Sequence, residues 1–362
     1  MSFAKKIKIG GFAGVKEARI GENEPLALQT MWKEPLTNEM LEGKTLSLIL
    51  ERIERLSSFG CSLLRFAVPD ADSAEALGKL ASLVSMPLVA DIHFDYKLAL
   101  RCLDFPIAKI RINPGNLGSK QRTAAVLQKC AKKNVPVRIG VNSGSLPSAL
   151  RIMVKKGDIS AAEALVRAAE NELLIFEEHR FFNVVVSMKA SNVAETIAAN
   201  ELFAARHSLP LHIGVTEAGP LIAGVVRNTA ALYRLLQNGI GDTVRVSLSD
   251  SMENEILAAR EIALVSERLN GARLISCPRC GRCGFDTHKW AGRWQEKLAS
   301  INKNITVAVM GCAVNGPGEA RAADIGITGI GNKIVIFKHG KITRETNEEN
   351  AEAVFFEELA RL

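Results

Sequence analysis

Three cysteines and one glutamate near the end of the chain, Cys277, Cys280, Cys312 and Glu319, have the residue types and spacing of a metal or iron-sulfur site. They fall in two short blocks, Cys277-Pro278-Arg279-Cys280-Gly281 and Gly311-Cys312-Ala313-Val314-Asn315-Gly316-Pro317-Gly318-Glu319, both of turn-forming composition. Thiolates three apart, across a proline and before a glycine, bind a metal centre from a single knuckle whose backbone N–H groups face the sulfurs. The knuckle alone does not select the metal. Zinc ribbons use the same Cys-Pro-x-Cys-Gly, but they normally need a second Cys-x-x-Cys, and beyond Cys283 only Cys312 remains. Three cysteines with one exchangeable, non-thiolate ligand suit an iron-sulfur cluster better, and leave one iron able to take a substrate.

A second set of candidates recurs at regular intervals upstream. Arg65, Asp91 with His93, Arg111 with Asn113, Arg138 with Asn142, Lys189, His212 with Glu217, and Arg245 with Ser247 each stand near the end of a short apolar run. In Arg111-Ile112-Asn113, Ser187-Met188-Lys189 and Arg245-Val246-Ser247 the polar residues are two apart, which places them on one side of a strand. Five cations from different strands, Arg65, Arg111, Arg138, Lys189 and Arg245, make a pocket for a multiply anionic ligand, with arginine forks matched to phosphate oxygens. A diphosphate is the expected ligand. Any one of these residues alone reads equally as a solvated strand end or an ion-pair member, so the weight rests on the group. Asp91-Ile92-His93 and His212-Ile213-Gly214 lack the i, i+4 spacing of a helical zinc site, and hydrogen bonding at the pocket is the expected histidine role.

The elements that must position these residues repeat from residue 26 to 249. Eight apolar runs, Leu26 to Met31, Ser62 to Pro69, Pro87 to Phe94, Ala108 to Gly115, Pro136 to Gly144, Asn183 to Ser191, Leu211 to Gly219 and Thr243 to Ser249, alternate with helical patterns such as Leu46 to Ser58, Gln121 to Lys133, Ala161 to Glu178, Leu221 to Gln237 and Glu253 to Arg268. Eight βα units predict an α/β TIM barrel, with a doubly wound sheet as the alternative. In the barrel, the strand ends carrying these polar residues form the active-site mouth. The chain of 362 residues is longer than one such barrel, so a smaller second domain is expected. The boundary falls near Asn270-Gly271-Ala272, giving a substrate-binding barrel over 1–269 and a cluster domain over 270–362.

Composition narrows the partners. Hydrophobic residues make up 47% of the chain and mean hydropathy is +0.09, as in a packed globular protein. A net charge of +7 calls for an anionic partner, whether nucleic acid, phosphorylated metabolite or acidic redox protein. Aromatics at 5% and the lack of basic blocks interleaved with stacking rings argue against nucleic acid. There is no apolar run long enough for a membrane span and no secretion signal in Met1-Ser2-Phe3-Ala4-Lys5-Lys6, so a cytoplasmic protein is expected. Seven cysteines in such a chain point to reduced thiols and metal ligation, with Cys61, Cys102 and Cys130 read as small core residues.

The phrases Ala108-Lys109-Ile110-Arg111-Ile112-Asn113-Pro114-Gly115-Asn116, Val137-Arg138-Ile139-Gly140-Val141-Asn142-Ser143-Gly144-Ser145, Ser187-Met188-Lys189-Ala190-Ser191 and His212-Ile213-Gly214-Val215-Thr216-Glu217-Ala218-Gly219, followed in order by the cysteine blocks, closely resemble the 4-hydroxy-3-methylbut-2-enyl diphosphate synthases of non-mevalonate isoprenoid synthesis. The resemblance runs from about residue 20 to the end. It implies a barrel related to dihydropteroate synthases and an α+β domain like the repeats of sulfite and nitrite reductases, holding a [4Fe-4S] cluster. It further implies reductive opening of a cyclic diphosphate of methylerythritol, with flavodoxin or ferredoxin as electron donor, and a head-to-tail homodimer.

Carried onto this sequence, the resemblance makes Cys277, Cys280, Cys312 and Glu319 the cluster ligands, Glu319 yielding to a substrate oxygen. Arg111, Arg138, Lys189, Arg245 and Ser247 grip the diphosphate with Arg65. Asn113, Asn142, His212 and Asp91 orient or support, and Glu217 shuttles a proton. Two departures stand out. Gln29-Thr30-Met31-Trp32-Lys33-Glu34-Pro35-Leu36-Thr37-Asn38 differs from the family's Gln-Ser-Met-Thr-Asn-Thr phrase, so no role is transferred to Thr37 or Asn38. Cys283 stands where a non-cysteine is expected, and is read as a bystander rather than a fourth ligand. Three rivals make different demands: a zinc module on nucleic acid requires zinc, a simple redox carrier has no use for the cationic pocket, and a cluster-free barrel enzyme has none for the cysteine blocks.

Overall fold

The computed structural model describes residues 5–113, 117–331 and 333–362. They divide into two compact units, Met1–Leu269 and Asn270–Leu362.

The first unit begins with an antiparallel hairpin, β1 (Lys6–Gly10) and β2 (Glu17–Gly21). Eight short parallel strands follow: β3 (Ala27–Met31), β4 (Cys61–Ala67), β5 (Leu88–Asp91), β6 (Lys109–Ile112), β7 (Val137–Asn142), β8 (Val184–Lys189), β9 (His212–Ile213) and β10 (Thr243–Val244). Among the described residues nine α-helices connect or follow them, two of them between β7 and β8: α1 (Gly43–Ser58), α2 (Ala71–Leu83), α3 (Tyr96–Cys102), α4 (Lys120–Lys133), α5 (Ser148–Lys156), α6 (Ala161–Glu178), α7 (Val193–Arg206), α8 (Leu221–Gln237) and α9 (Met252–Val265). The strand order β8-β7-β6-β5-β4-β3-β10-β9 is closed by a parallel bridge between Val186 and Leu211, so the sheet is a barrel and the doubly wound alternative falls.

All eight predicted runs hold a strand, each shorter than its run, because the run ends are the loops that rim the mouth. Pro114, Gly115 and Asn116, at the end of the fourth run and phrase, lie outside the described residues. The helices start where side chains accept the free N–H groups of the first turn: Ser119 accepts from Arg122, Ser160 from Glu163, and Asp70 forms a capping box with Ser73. α9 ends at Val265, three residues before the predicted Arg268, where the backbone turns through Glu267 at φ +59°.

The hairpin was not legible in the sequence. Its Ile7, Ile9 and Ile20 pack against Ala27, Leu63, Val89 and Val185, apolar residues at the N-terminal ends of barrel strands. This plug keeps one end of the barrel interior dry and leaves the polar residues to the other.

The second unit carries a five-stranded mixed sheet. In chain order its elements are β11 (Arg273–Ser276), α10 (Thr287–Ala299), β12 (Thr306–Met310), β13 (Ile325–Ile330), β14 (Lys333–Lys338), β15 (Lys341–Thr346) and α11 (Ala351–Ala360). β11, β12 and β13 are parallel, and β14 and β15 continue antiparallel. α10 and α11 pack Trp290, Trp294 and Phe355 on Val307, Val309, Ile325 and Ile327, with Trp294 and Phe355 edge to face at 4.7 Å. Among the described residues no helix is long and apolar enough to cross a membrane.

Candidate active site and metal centre

Barrel register sets the cationic group. Asp91 on β5 lies level with Arg111 on β6, and Arg111 level with Arg138 on β7. Their side chains share the interior because they occupy matching positions of the pleat. Arg111 Nη1 donates to Asp91 Oδ1 at 3.0 Å, while Arg65 Nε and His93 Nε2 lie 3.7 and 3.4 Å from Asp91 Oδ2. Burial alone would raise the Asp91 carboxyl, but Arg65, His93, Arg111 and Arg138 together hold it well below the usual carboxylate range. With both oxygens so engaged, Asp91 supports the arginines. Arg111 fits because Gly140 has no side chain: a Cβ there would lie 2.5 Å from the guanidinium Nε.

Lys189 and His212 form a second pair, Nζ to Nε2 at 3.2 Å. A Cβ at Gly214 would sit 2.9 Å from Lys189 Nζ, so this glycine also clears space for a cation. Burial, then the charges of Arg138 and Arg245, push the Lys189 amine well below its ordinary value, and burial and Lys189 do the same to His212. His212 opens its two-residue strand and is fully buried, so it stands inside the barrel and not at its rim.

Two participants were missed in the sequence. Glu255, on α9 and 1% exposed, lies 3.0 Å from Lys33 and 3.7 Å from Arg245, and accepts from the Thr30 hydroxyl and the Leu248 N–H. Lys109, two residues before Arg111, is wholly buried and reaches Gln29 Oε1 at 3.3 Å. The Arg111-to-Asn113 alternation extended one step back would have found Lys109, whereas nothing in a helical run marks Glu255 as reaching the mouth.

Seven basic groups, Lys33, Arg65, Lys109, Arg111, Arg138, Lys189 and Arg245, thus face two carboxylates, Asp91 and Glu255, among the described residues. Several donors also lack partners: Arg138 Nε and Nη1, Arg111 Nε, Arg245 Nε and His212 Nδ1. A like-charge pair at close range costs about 4 kcal/mol at an effective dielectric constant of ~20, so such a surplus favours an anionic ligand. A cleft of about 550 Å³ reaches Arg245 between Trp32, Thr37 and Ser73, so the divergent segment 32–38 walls the mouth. A cleft of similar size, about 560 Å³, lies at the hairpin end by Lys16, Ala27 and Pro87 and carries none of these cations.

Other predicted residues are less engaged. Asn113 is buried, while Asn142 and Ser247 are half-buried. Asn142 begins the turn in which its N–H donates to the Ser145 hydroxyl oxygen at 3.3 Å. Glu217 is exposed in the loop after β9, at φ +53°, and forms no ion pair with the cations among the described residues. Cys61, Cys102 and Cys130 are buried, and burial pushes each thiol up to about 12, as for inert core cysteines.

In the second unit, parallel β11 and β12 deliver both cysteine blocks to one sheet edge. Cys277 N–H donates to Val309 O at 3.2 Å, and Gly311 N–H donates to Cys277 Sγ at 3.1 Å. Cys312 opens a wide five-residue helical turn over Val314–Gly318 that brings Glu319 round. Asn315 bridges two of the candidate ligands: the Cys312 thiol donates to its Oδ1 at 3.6 Å, and its Nδ2 donates to Glu319 Oε2 at 3.0 Å. Backbone N–H groups of Asn315 and Val314, with Arg282, lower the Cys312 thiol from its ordinary value. Cys280 is exposed at the tip of the knuckle.

Cys283, read from the sequence as a bystander, stands near Cys277. Gly284 N–H donates to Gly311 O at 2.9 Å and folds the segment back. Cys283 Sγ then lies 2.8 Å, and Cys277 Sγ 3.2 Å, from the point where a Cβ at Gly311 would stand.

No three His, Cys, Asp or Glu side chains among the described residues converge on a single ion. A four-iron cluster gives each ligand its own iron, so its ligands stand apart. Thiols at one edge, an N–H aimed at sulfur and a carboxylate tied to the third cysteine fit such a cluster better than a mononuclear zinc site.

The chain matches two family models in succession, the GcpE TIM-barrel domain over residues 11–260 and the GcpE protein C-terminal domain over residues 273–361. Three curated relatives are each named 4-hydroxy-3-methylbut-2-en-1-yl diphosphate synthase (flavodoxin). That of Treponema denticola is 53% identical, covering 99% of this chain and 98% of the relative; that of Treponema pallidum is 50% identical, covering 99% and 92%; that of Caldicellulosiruptor saccharolyticus is 43% identical, covering 96% and 95%.

Proposed function

The chain belongs to the GcpE family of iron-sulfur oxidoreductases, and we propose that it opens the ring of 2-C-methyl-D-erythritol 2,4-cyclodiphosphate reductively to 4-hydroxy-3-methylbut-2-enyl diphosphate in isoprenoid synthesis. The observation that carries this reading is the surplus of buried cations in the barrel, which calls for a ligand with several negative charges.

In this reading Arg111, Arg138, Lys189 and Arg245 hold the diphosphate oxygens with the Ser247 hydroxyl and Arg65. Asp91 fixes the arginine forks, and Asn113, Asn142 and His212 orient the ligand. The unpartnered Arg138 Nε and Nη1 and Arg245 Nε gain acceptors when the anion arrives. Cys277, Cys280 and Cys312 would hold three irons of a [4Fe-4S] cluster and Glu319 the fourth, carboxylate being the more exchangeable ligand. When bound, the cluster supplies two electrons, one at a time, and an iron open to a substrate oxygen. Loss of that oxygen as water needs a proton, and Glu217 carries it on a carboxylate oxygen free of ion pairs among the described residues.

Flavodoxin or ferredoxin is the electron donor in this reading. Exposed Arg279 and Arg282, which flank exposed Cys280 in the sequence, suit an acidic donor. A homodimer in the cytoplasm completes the proposal and rests on the family resemblance.

The test is anaerobic turnover of the cyclic diphosphate with reduced flavodoxin, followed by mass spectrometry. Formation of the linear hydroxylated diphosphate is expected. Unchanged substrate with enzyme carrying its full iron complement would contradict the reading.

A further inference from the structure

We propose that Cys277 and Cys283 form a dithiol modification site that reacts with low-molecular-weight disulfides when the cysteine site is free of iron, locking the chain out of cluster loading until it is reduced. Its consequence for loading rests on the cluster reading above; the chemistry of the pair does not.

Three observations carry it. The two sulfurs border one point, 2.8 and 3.2 Å from the position of a Gly311 Cβ, and glycine leaves that space open. Cys280, although nearer in sequence to Cys277, is not among the atoms nearest that point; it stands exposed at the knuckle tip. The segment that brings Cys283 in is held by Cys283 N–H to Cys280 O at 3.0 Å and Gly284 N–H to Gly311 O at 2.9 Å. Both cysteines are partly exposed, so a small disulfide can reach them.

One thiolate attacks the small disulfide, forming a mixed disulfide and releasing one small thiol. The second then attacks the protein sulfur of that mixed disulfide, forming the Cys277–Cys283 bond and releasing the other small thiol. Two protein thiols are oxidised, the small disulfide is reduced to two thiols, and the protons pass to those thiols. The space left open above Gly311 gives the two sulfurs room to rotate toward each other. The product removes Cys277 from the ligand set, and a dithiol reductant restores it.

The test uses the full-length chain, freed of metal by chelation under anaerobic conditions and treated with oxidised glutathione. Free thiols are then blocked, and the unreduced digest is mapped by mass spectrometry. The Cys277–Cys283 cross-link should exceed the Cys277–Cys280 cross-link roughly tenfold or more. Iron uptake should fall in step with it and return after dithiothreitol. In Cys283→Ser the intramolecular link should give way to a glutathione adduct, with the visible absorption of the reduced, reconstituted protein retained. A dominant Cys277–Cys280 link, or only mixed disulfides in the unsubstituted chain, would overturn the proposal. The cross-link is mapped without iron, so its failure leaves the cluster reading standing. An iron-free anaerobic preparation would instead sink the cluster reading alone.

Discussion

In the barrel, Arg65, Arg111, Arg138, Lys189 and His212 stand on strands and are shut away from water: Arg138 and Lys189 are 2% and 7% exposed, and His212 is fully buried. In the second unit they stand on turns, with Cys280 exposed and Cys277 and Cys283 half-open. The first region keeps its charges close by a rigid register that makes them repel one another. The second places weakly interacting thiols by single backbone hydrogen bonds, such as Gly311 N–H to Cys277 Sγ. In the proposed reading the barrel carries repulsion that an anion would relieve, and the cysteine region carries thiols that a metal group would bind. Each should respond differently when a member is removed.

The largest effect is expected at Cys312. Cys312→Ala should abolish reductive turnover, by about three orders of magnitude or more, with iron content falling in parallel, because no other group replaces a thiolate ligand there. Iron analysis beside the turnover assay checks this; full iron with lost turnover would break the assignment.

Arg138→Met separates the regions from the other side. Turnover should fall about 10²- to 10³-fold, as when one charge-stabilising donor is removed, with iron content unchanged. Thermal unfolding of the ligand-free protein should rise or stay level, since an uncompensated buried cation has been replaced by an apolar side chain of similar reach. A marked drop in stability would mean that the cations are mutually satisfied and that the barrel is not poised for an anion.

Removing Asp91 has the opposite sign. Asp91→Asn takes away the shared partner of Arg65 and Arg111 and should destabilise the protein by about 3–5 kcal/mol at neutral pH. Because the folded state lowers the Asp91 pKa, its contribution is complete above the ordinary carboxylate value of about 3.9 and is lost as pH falls below it. The stability gap between the two proteins, followed by denaturant unfolding, should therefore narrow in acid. A gap that widens there would contradict the ion-pair account.

The smallest effect belongs to a cysteine outside both regions. Cys130→Ala should leave iron and turnover unchanged and cost about 1 kcal/mol in denaturant unfolding, the loss of a small buried side chain.

Much of this contrast was legible in the sequence because a strand repeats every two residues. Arg111 with Asn113 and Ser187 with Lys189 declared a common face, and the recurrence of such pairs on successive runs declared a barrel. Glu255 was hidden because it reaches the mouth from α9, where helical spacing says which face is buried but not which charge it meets. The β1–β2 plug was hidden because a short polar-flanked hairpin has no signature until the barrel end it covers exists. That Cys277, Cys280 and Cys312 stand in turn-forming blocks was readable from the sequence. The inward turn of Cys283 was not, since it depends on Gly284 meeting Gly311, a contact between segments far apart in sequence. Asn315 likewise joins Cys312 to Glu319 only because the intervening turn is wide.

The most direct measurement is iron, acid-labile sulfide and zinc content of the full-length chain purified without oxygen. The account predicts a full [4Fe-4S] complement per chain, brown in colour, with zinc absent. A colourless protein that carries zinc, or no metal at all, would contradict it.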